Sequence, residues 1–141
     1  MPDVSVLVAA FREDSADHRD MKAWLEDAVN GPDMVGLSDA VASGFVRVVT
    51  HRRIFAQPTP VAEAIAQIDS LLKADGVVRI SPGRSHWGIF SHLCREADAR
   101  GNLVSDAAHA ATAIEAGATW VSLDRDFARF PGLTWTVPRR D

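Results

Sequence analysis

The sequence predicts an α/β domain of three layers, α/β/α, with helices covering both faces of a central, mostly parallel sheet of four to five short strands. Three observations lead there. Short β-prone runs recur along the chain, among them Met34-Val35-Gly36-Leu37, Val77-Val78-Arg79-Ile80 and Thr119-Trp120-Val121-Ser122. Between them lie segments whose apolar residues return every three or four positions, as crossover helices require. Gly and Pro mark junctions, as at Asn30-Gly31-Pro32, Gly76 and Gly117. Strands alternating with helices give βαβ units, hence a parallel sheet with right-handed connections.

Taken in order, Asp3-Val4-Ser5-Val6-Leu7-Val8-Ala9-Ala10-Phe11 is too uniformly apolar for periodicity to decide. It reads as a very short strand running into a helix capped by Ser5 and ended by Arg12-Glu13-Asp14-Ser15. Met21, Trp24, Leu25 and Ala28 mark an amphipathic helix within residues 17–29. After the strand at 34–37, Ser38-Asp39 starts a helix with Val41, Phe45, Val48 and Val49 on one face, ending near Thr50. A loop leads to Thr59-Pro60, where a long helix begins that carries Val61, Ala64, Ile65, Ile68, Leu71 and Leu72. Gly76 stops it, and residues 77–80 form the third strand. Trp87, Phe90, Leu93 and Cys94 give the inner face of the next helix. Ser105 or Asp106 begins a small-residue helix that Gly117 closes, and a strand follows at 119–122. Asp124-Arg125-Asp126 opens a short helical turn ending near Phe130-Pro131, and a last strand lies around Leu133-Thr134-Trp135.

At 141 residues the chain reads as one domain, 1–141, large enough to bury a core without a staple. Its single Cys94 excludes an internal disulfide. Met1 leads into Asp3 with no basic region or long apolar segment, so a cytoplasmic protein without a membrane anchor is expected. A net charge of −4 argues mildly against nucleic acid as a partner, yet Arg47, His51, Arg52 and Arg53 form a local basic cluster.

The chemistry lies in the acids. Asp3, Asp39, Asp106 and Asp124 each end or follow a predicted strand, so a parallel sheet would bring them to one carboxyl-end crevice, with Asp126 beside Asp124. Singly, each has a structural explanation as a helix cap or first-turn acid. Together they repel unless a divalent cation sits among them, and Mg²⁺ or Mn²⁺ suits an all-oxygen site. Other chemistries fit less well. His86, His92 and Cys94 match no zinc spacing. Ser122 has no Ser/His/Asp arrangement and reads as satisfying backbone or orienting Asp124. His109 shares the helix face of Asp106 and is a candidate for touching a phosphate. A phosphate-accepting receiver domain, the runner-up from another class, needs a lysine near the strand edge, whereas Lys22 and Lys73 both lie within predicted helices.

The residues resemble a known family over essentially the whole chain: PIN-domain ribonucleases of the VapC toxin type. Asp3-Val4-Ser5-Val6-Leu7-Val8-Ala9 is similar to that family's "D-x-N-[VI]-L-V-A" start, with Ser5 where Asn is commoner. Residues 101–113, with Asp106-Ala107 on the "D-A", resemble "N-x-x-D-A-x-x-A-A-x-A", and residues 122–130 resemble "T-x-D-x-D-F-x-R-F". The resemblance implies a PIN-like fold and a Mg²⁺- or Mn²⁺-dependent endoribonuclease that hydrolyses RNA with a metal-activated water. It implies Asp3, Asp106, Asp124 and Asp126 as catalytic and metal-site residues, a cognate VapB-type antitoxin, and a homodimer. Selectivity among RNAs would then rest with flanking basic residues such as Arg52, Arg53, Arg84 and Arg125. One departure stands out. Gly44 occupies the place of the family's Glu in "E-x-x-R", with Arg47 three residues on. Asp39, five residues earlier on the same predicted helix, is the candidate replacement ligand. The alternative reading is a catalytically weak PIN module acting by RNA or partner binding.

Overall fold

The computed structural model describes residues 1–138, and the strands it contains pair in parallel. β1 (Val35–Ser38) lies beside β2 (Val77–Ile80), with Val35 opposite Val77 and Ser38 opposite Ile80. β3 (Trp120–Val121) lies beside β4 (Trp135–Thr136). The N-terminus runs along β3: Pro2 bridges Val121, Val121 N donates to Met1 O at 2.9 Å, and Asp3 N donates to Val121 O at 2.8 Å. On its other side Met1 closes on β1, since a Cβ on Gly36 would stand 2.9 Å from Met1 Cγ. Among the described residues, the expected four to five strands of one sheet are four short strands in two ladders, with residues 1–3 between them. The expected first strand shrinks to a single bridge because Asp3 already caps a helix.

That helix, α1 (Val4–Phe11), resolves the ambiguous apolar run. Asp3 Oδ1 accepts from Val4 N at 2.7 Å, so the cap is Asp3 and not Ser5, which lies inside the helix. Val6, Leu7, Ala9 and Ala10 bury α1 against α2 (His18–Asn30) and α3 (Asp39–Val49). Ser38 caps α3 through Val41 N at 3.1 Å, as its position after a strand predicted. α4 (Val61–Lys73) packs on α3 and β2. Trp120, Phe45, Phe127, Leu7, Leu37 and Leu93 are the large fully buried side chains, and truncating Phe45 would cost about 3–5 kcal/mol.

α5 (His86–Glu96) packs on α6 (Asn102–Glu115). Trp87, expected on the inner face of α5, is 73% exposed. His86 turns inward in its stead, with Nε2 at 3.1 Å from Ala108 O, so the first turn of α5 is rotated from the expected face. α6 begins a turn earlier than Ser105 or Asp106, because Gly101, at φ +55°, redirects the chain into it. Its end matches expectation. Gly117 sits at φ +64°, its N–H donates to Ile114 O at 3.0 Å, and Ala118 N donates to Ala113 O at 2.9 Å. Buried Ala107, Ala110, Ala111 and Ala113 let α6 approach the core closely. After β3, a 3₁₀ turn spans Arg125–Arg129. No helix among the described residues is long and apolar enough to cross a membrane.

Candidate active site

Asp3 is the most constrained acid. It is 8% exposed, so it is no solvated terminal residue. Its Oδ1 caps α1, and its Oδ2 accepts from Ser122 Oγ at 2.6 Å and from Ser5 Oγ at 3.3 Å. Ser122 is fully buried at the end of β3, and its Oγ also accepts from Asp124 N at 3.0 Å. One hydroxyl therefore ties the acid at the start of the chain to the loop holding the acids near its end. The sequence reading placed Ser122 with Asp124 but gave no sign of Asp3, because a contact across 119 residues leaves no local signal.

Asp124 and Asp126 are exposed on the 3₁₀ turn, where Asp124 Oδ1 accepts from Asp126 N at 2.9 Å. Asp126 lies 3.9 Å from Arg129 Nε. Asp106 sits in the second turn of α6, beyond reach of a capping role, and follows another helix where a strand had been expected. Burial, and then the charges of Asp3, Asp124 and Asp126, raise its carboxyl from 3.8 to about 6. Four of the five expected acids thus share one electrostatic neighbourhood.

Asp39 is not brought to this group. Its carboxylate, 75% exposed, accepts two bonds from Arg79 Nη2 of β2, at 2.8 and 2.9 Å. Being at the first position of α3, it turns toward the neighbouring strand. Gly44 lies a turn farther on, facing α1, where an added Cβ would meet Val4 Cγ2 at 2.9 Å. His109, one turn past Asp106, lies flat against Trp120 with ring centroids 5.4 Å apart. Its burial lowers its pKa, against the opposing effect of the Asp3 charge.

Oxygen donors and accumulated negative charge fit a hard divalent cation. Placement is less complete. Among the described residues no three His, Cys, Asp or Glu side chains form a ready-made metal-binding group, so the acids share a field without forming a closed cage. Both observations hold, since Coulomb effects reach farther than ligation does.

The fold is that of a PIN domain. The PIN-domain family model matches residues 1–133, and the chain belongs to that family. Its relatives narrow the placement to the VapC type. Ribonuclease VapC43 of Mycobacterium tuberculosis is 46% identical over 136 residues, covering 96% of this chain and 92% of that one. Ribonuclease VapC25 of the same organism is 41% identical, covering 96% of each. In fold, the chain is similar to VapBC2 from Rickettsia felis, solved bound to a DNA fragment from its promoter. That match has TM-score 0.70 at 18% identity and covers 97% and 96% of the two chains.

Proposed function

We propose that this chain is a Mg²⁺- or Mn²⁺-dependent endoribonuclease acting as the toxin of a toxin–antitoxin pair. The observation that carries the reading is the common neighbourhood of Asp3, Asp106, Asp124 and Asp126, whose mutual repulsion a divalent cation offsets. RNA as substrate is supported by relatives named ribonucleases over nearly their whole length. Asp3, Asp106, Asp124 and Asp126 would hold the cation, which would supply Lewis acidity toward water and toward the charge developing on the phosphoryl group.

The protein's own residues do the positioning. Asp3 is immobilised on both oxygens by Val4 N and Ser122 Oγ. Asp106 is held on the rigid, closely packed α6. Asp124 and Asp126 stand on an exposed turn that can adjust to the cation. None of these groups reads base identity, which falls to exposed cations such as Arg52, Arg53, Arg84 and Arg125.

The same reading includes a VapB-type antitoxin, in keeping with solved VapBC neighbours, and a second copy of the chain. Trp87, packed on Phe90 at 5.4 Å yet largely exposed, offers an apolar anchor. A monomer by light scattering at micromolar concentration counts against the homodimer.

Cleavage of labelled RNA with Mg²⁺, with Mn²⁺ and with EDTA tests the main reading. Cutting only with the cation is expected, and cutting that persists in EDTA rejects metal dependence. A catalytically weak module is the second reading, favoured by Gly44 and the unclosed ligand set. Tight RNA binding with scarcely any cutting at saturating Mg²⁺ would select it.

A further inference from the structure

Beside Gly44 a cleft of about 530 Å³ opens between α1, α3 and α6, its walls including Val4, Ser43, Gly44, Arg47, Ser105 and His109. Several of its walls are chain neighbours of the acids. Val4 follows Asp3, Ser105 precedes Asp106, and His109 lies one turn beyond it. The cleft's own chemistry is opposite in sign: no carboxylate lines it among the described residues, and its one full charge is Arg47. Arg47 is exposed and makes no ion pair with any described residue. Ser105 adds an exposed hydroxyl, while the exposed Ser43 Oγ donates to Ala40 O at 3.2 Å.

Gly44 gives Arg47 no acidic neighbour three residues earlier on α3. A glutamate there would be the i,i+3 helix neighbour of Arg47, the spacing at which opposite charges on a helix attract. Glycine removes that partner and brings α3 onto Val4, leaving the guanidinium facing an open space next to the acids.

We infer that this cleft seats a backbone phosphate of the RNA neighbouring the one that is cut, with Arg47 as its charge partner and Ser105 as a hydroxyl donor. A phosphodiester carries one negative charge and acceptor oxygens, which one guanidinium and one hydroxyl match. The acids repel RNA, so a cation beside them also offsets that repulsion where the strand must pass. Position 44 thereby becomes part of substrate binding. The inference rests on the ribonuclease reading.

The test uses the Asp106→Asn chain in EDTA, so that bound RNA stays intact, with anisotropy of a short labelled single-stranded RNA followed against salt concentration. Adding Arg47→Ala should weaken binding by about tenfold. It should also reduce the log K against log salt slope by about 0.7, the loss of one phosphate contact on a single strand. Arg47→Lys, which keeps the charge, should retain the slope. A purely structural role for Arg47 at the end of α3 would change affinity without changing the slope, and that outcome overturns the site. Equal affinity and slope with and without Arg47 overturns it too, leaving the ribonuclease reading intact. No RNA binding by the Asp106→Asn chain itself overturns both.

Discussion

Ser122 Oγ donates to Asp3 Oδ2 at 2.6 Å, a buried hydrogen bond between residues 119 positions apart. It fixes the acid's rotamer and ties it to β3, and through Asp124 N to the turn beyond. Charge-assisted bonds of this kind are worth more than neutral ones, and a buried acceptor left short of a donor costs more still.

Ser122→Ala should therefore lower stability by about 1–3 kcal/mol. Cleavage should fall more steeply than that loss alone explains, because Asp3 would keep only the α1 cap and the long Ser5 contact. Thermal unfolding and initial rates, measured well below the melting temperature, check both effects. Unchanged rates would show that the orientation of Asp3 does not limit the reaction.

Asp106→Asn should abolish cleavage and raise stability. The fold holds this carboxyl at about 6 against 3.8, so it disfavours the charged form. In sign, the native state binds more protons than the unfolded state between those values, so the group's penalty is full above pH 6 and fades as pH falls toward 4. Asp106 is only about half buried, and after discounting for solvent screening the gain is roughly 1 kcal/mol at neutral pH. Melting curves of both chains from pH 7 to pH 4 should converge toward the acid end. A gap constant with pH would contradict this account.

Asp39→Ala should leave cleavage intact. An exposed ion pair with Arg79 and a first-turn position are together worth about 1 kcal/mol or less. A large drop in rate with an unchanged fold would return Asp39 to the metal site.

Gly44→Ala opposes two effects of known size. Alanine gains about 0.5–1 kcal/mol in a helix interior, while crowding Val4 at 2.9 Å costs about 1–3 kcal/mol. Crowding should win. Pairing Gly44→Ala with Val4→Ala should recover stability beyond additivity, and a double-mutant cycle in denaturant measures that coupling. Additive single effects would place the strain elsewhere.

Much of this was legible in the sequence, for reasons that can be located. Ser38 as cap of α3, Gly117 as terminator of α6 and the strand at 77–80 follow from local chemistry, and local chemistry survives folding. The start of α6 at Asn102 was missed because Gly101 at positive φ can begin a helix as readily as end one. Trp87 was assigned inward because an apolar side chain at helical spacing reads as core, and only the inward turn of His86 reveals otherwise. At the site, the motif acids were visible one by one. The Asp39–Arg79 pair, the Ser122–Asp3 bond and the Gly44–Val4 approach each join distant segments, and spacing along a chain carries no record of them.

The threading of residues 1–3 against β3 also sets a clock. Asp3 is made well before the groups that hold it from across the fold: Val121 and Ser122 come 118 and more residues later, and Asp124 and Asp126 later again. At about 5–20 residues per second, the first acid waits on the order of ten seconds on the growing chain before its partners exist. The four carboxylates therefore cannot meet before Asp126 has been made, and a translation product that stops between Asp106 and Ser122 carries the first two acids without the rest of the site.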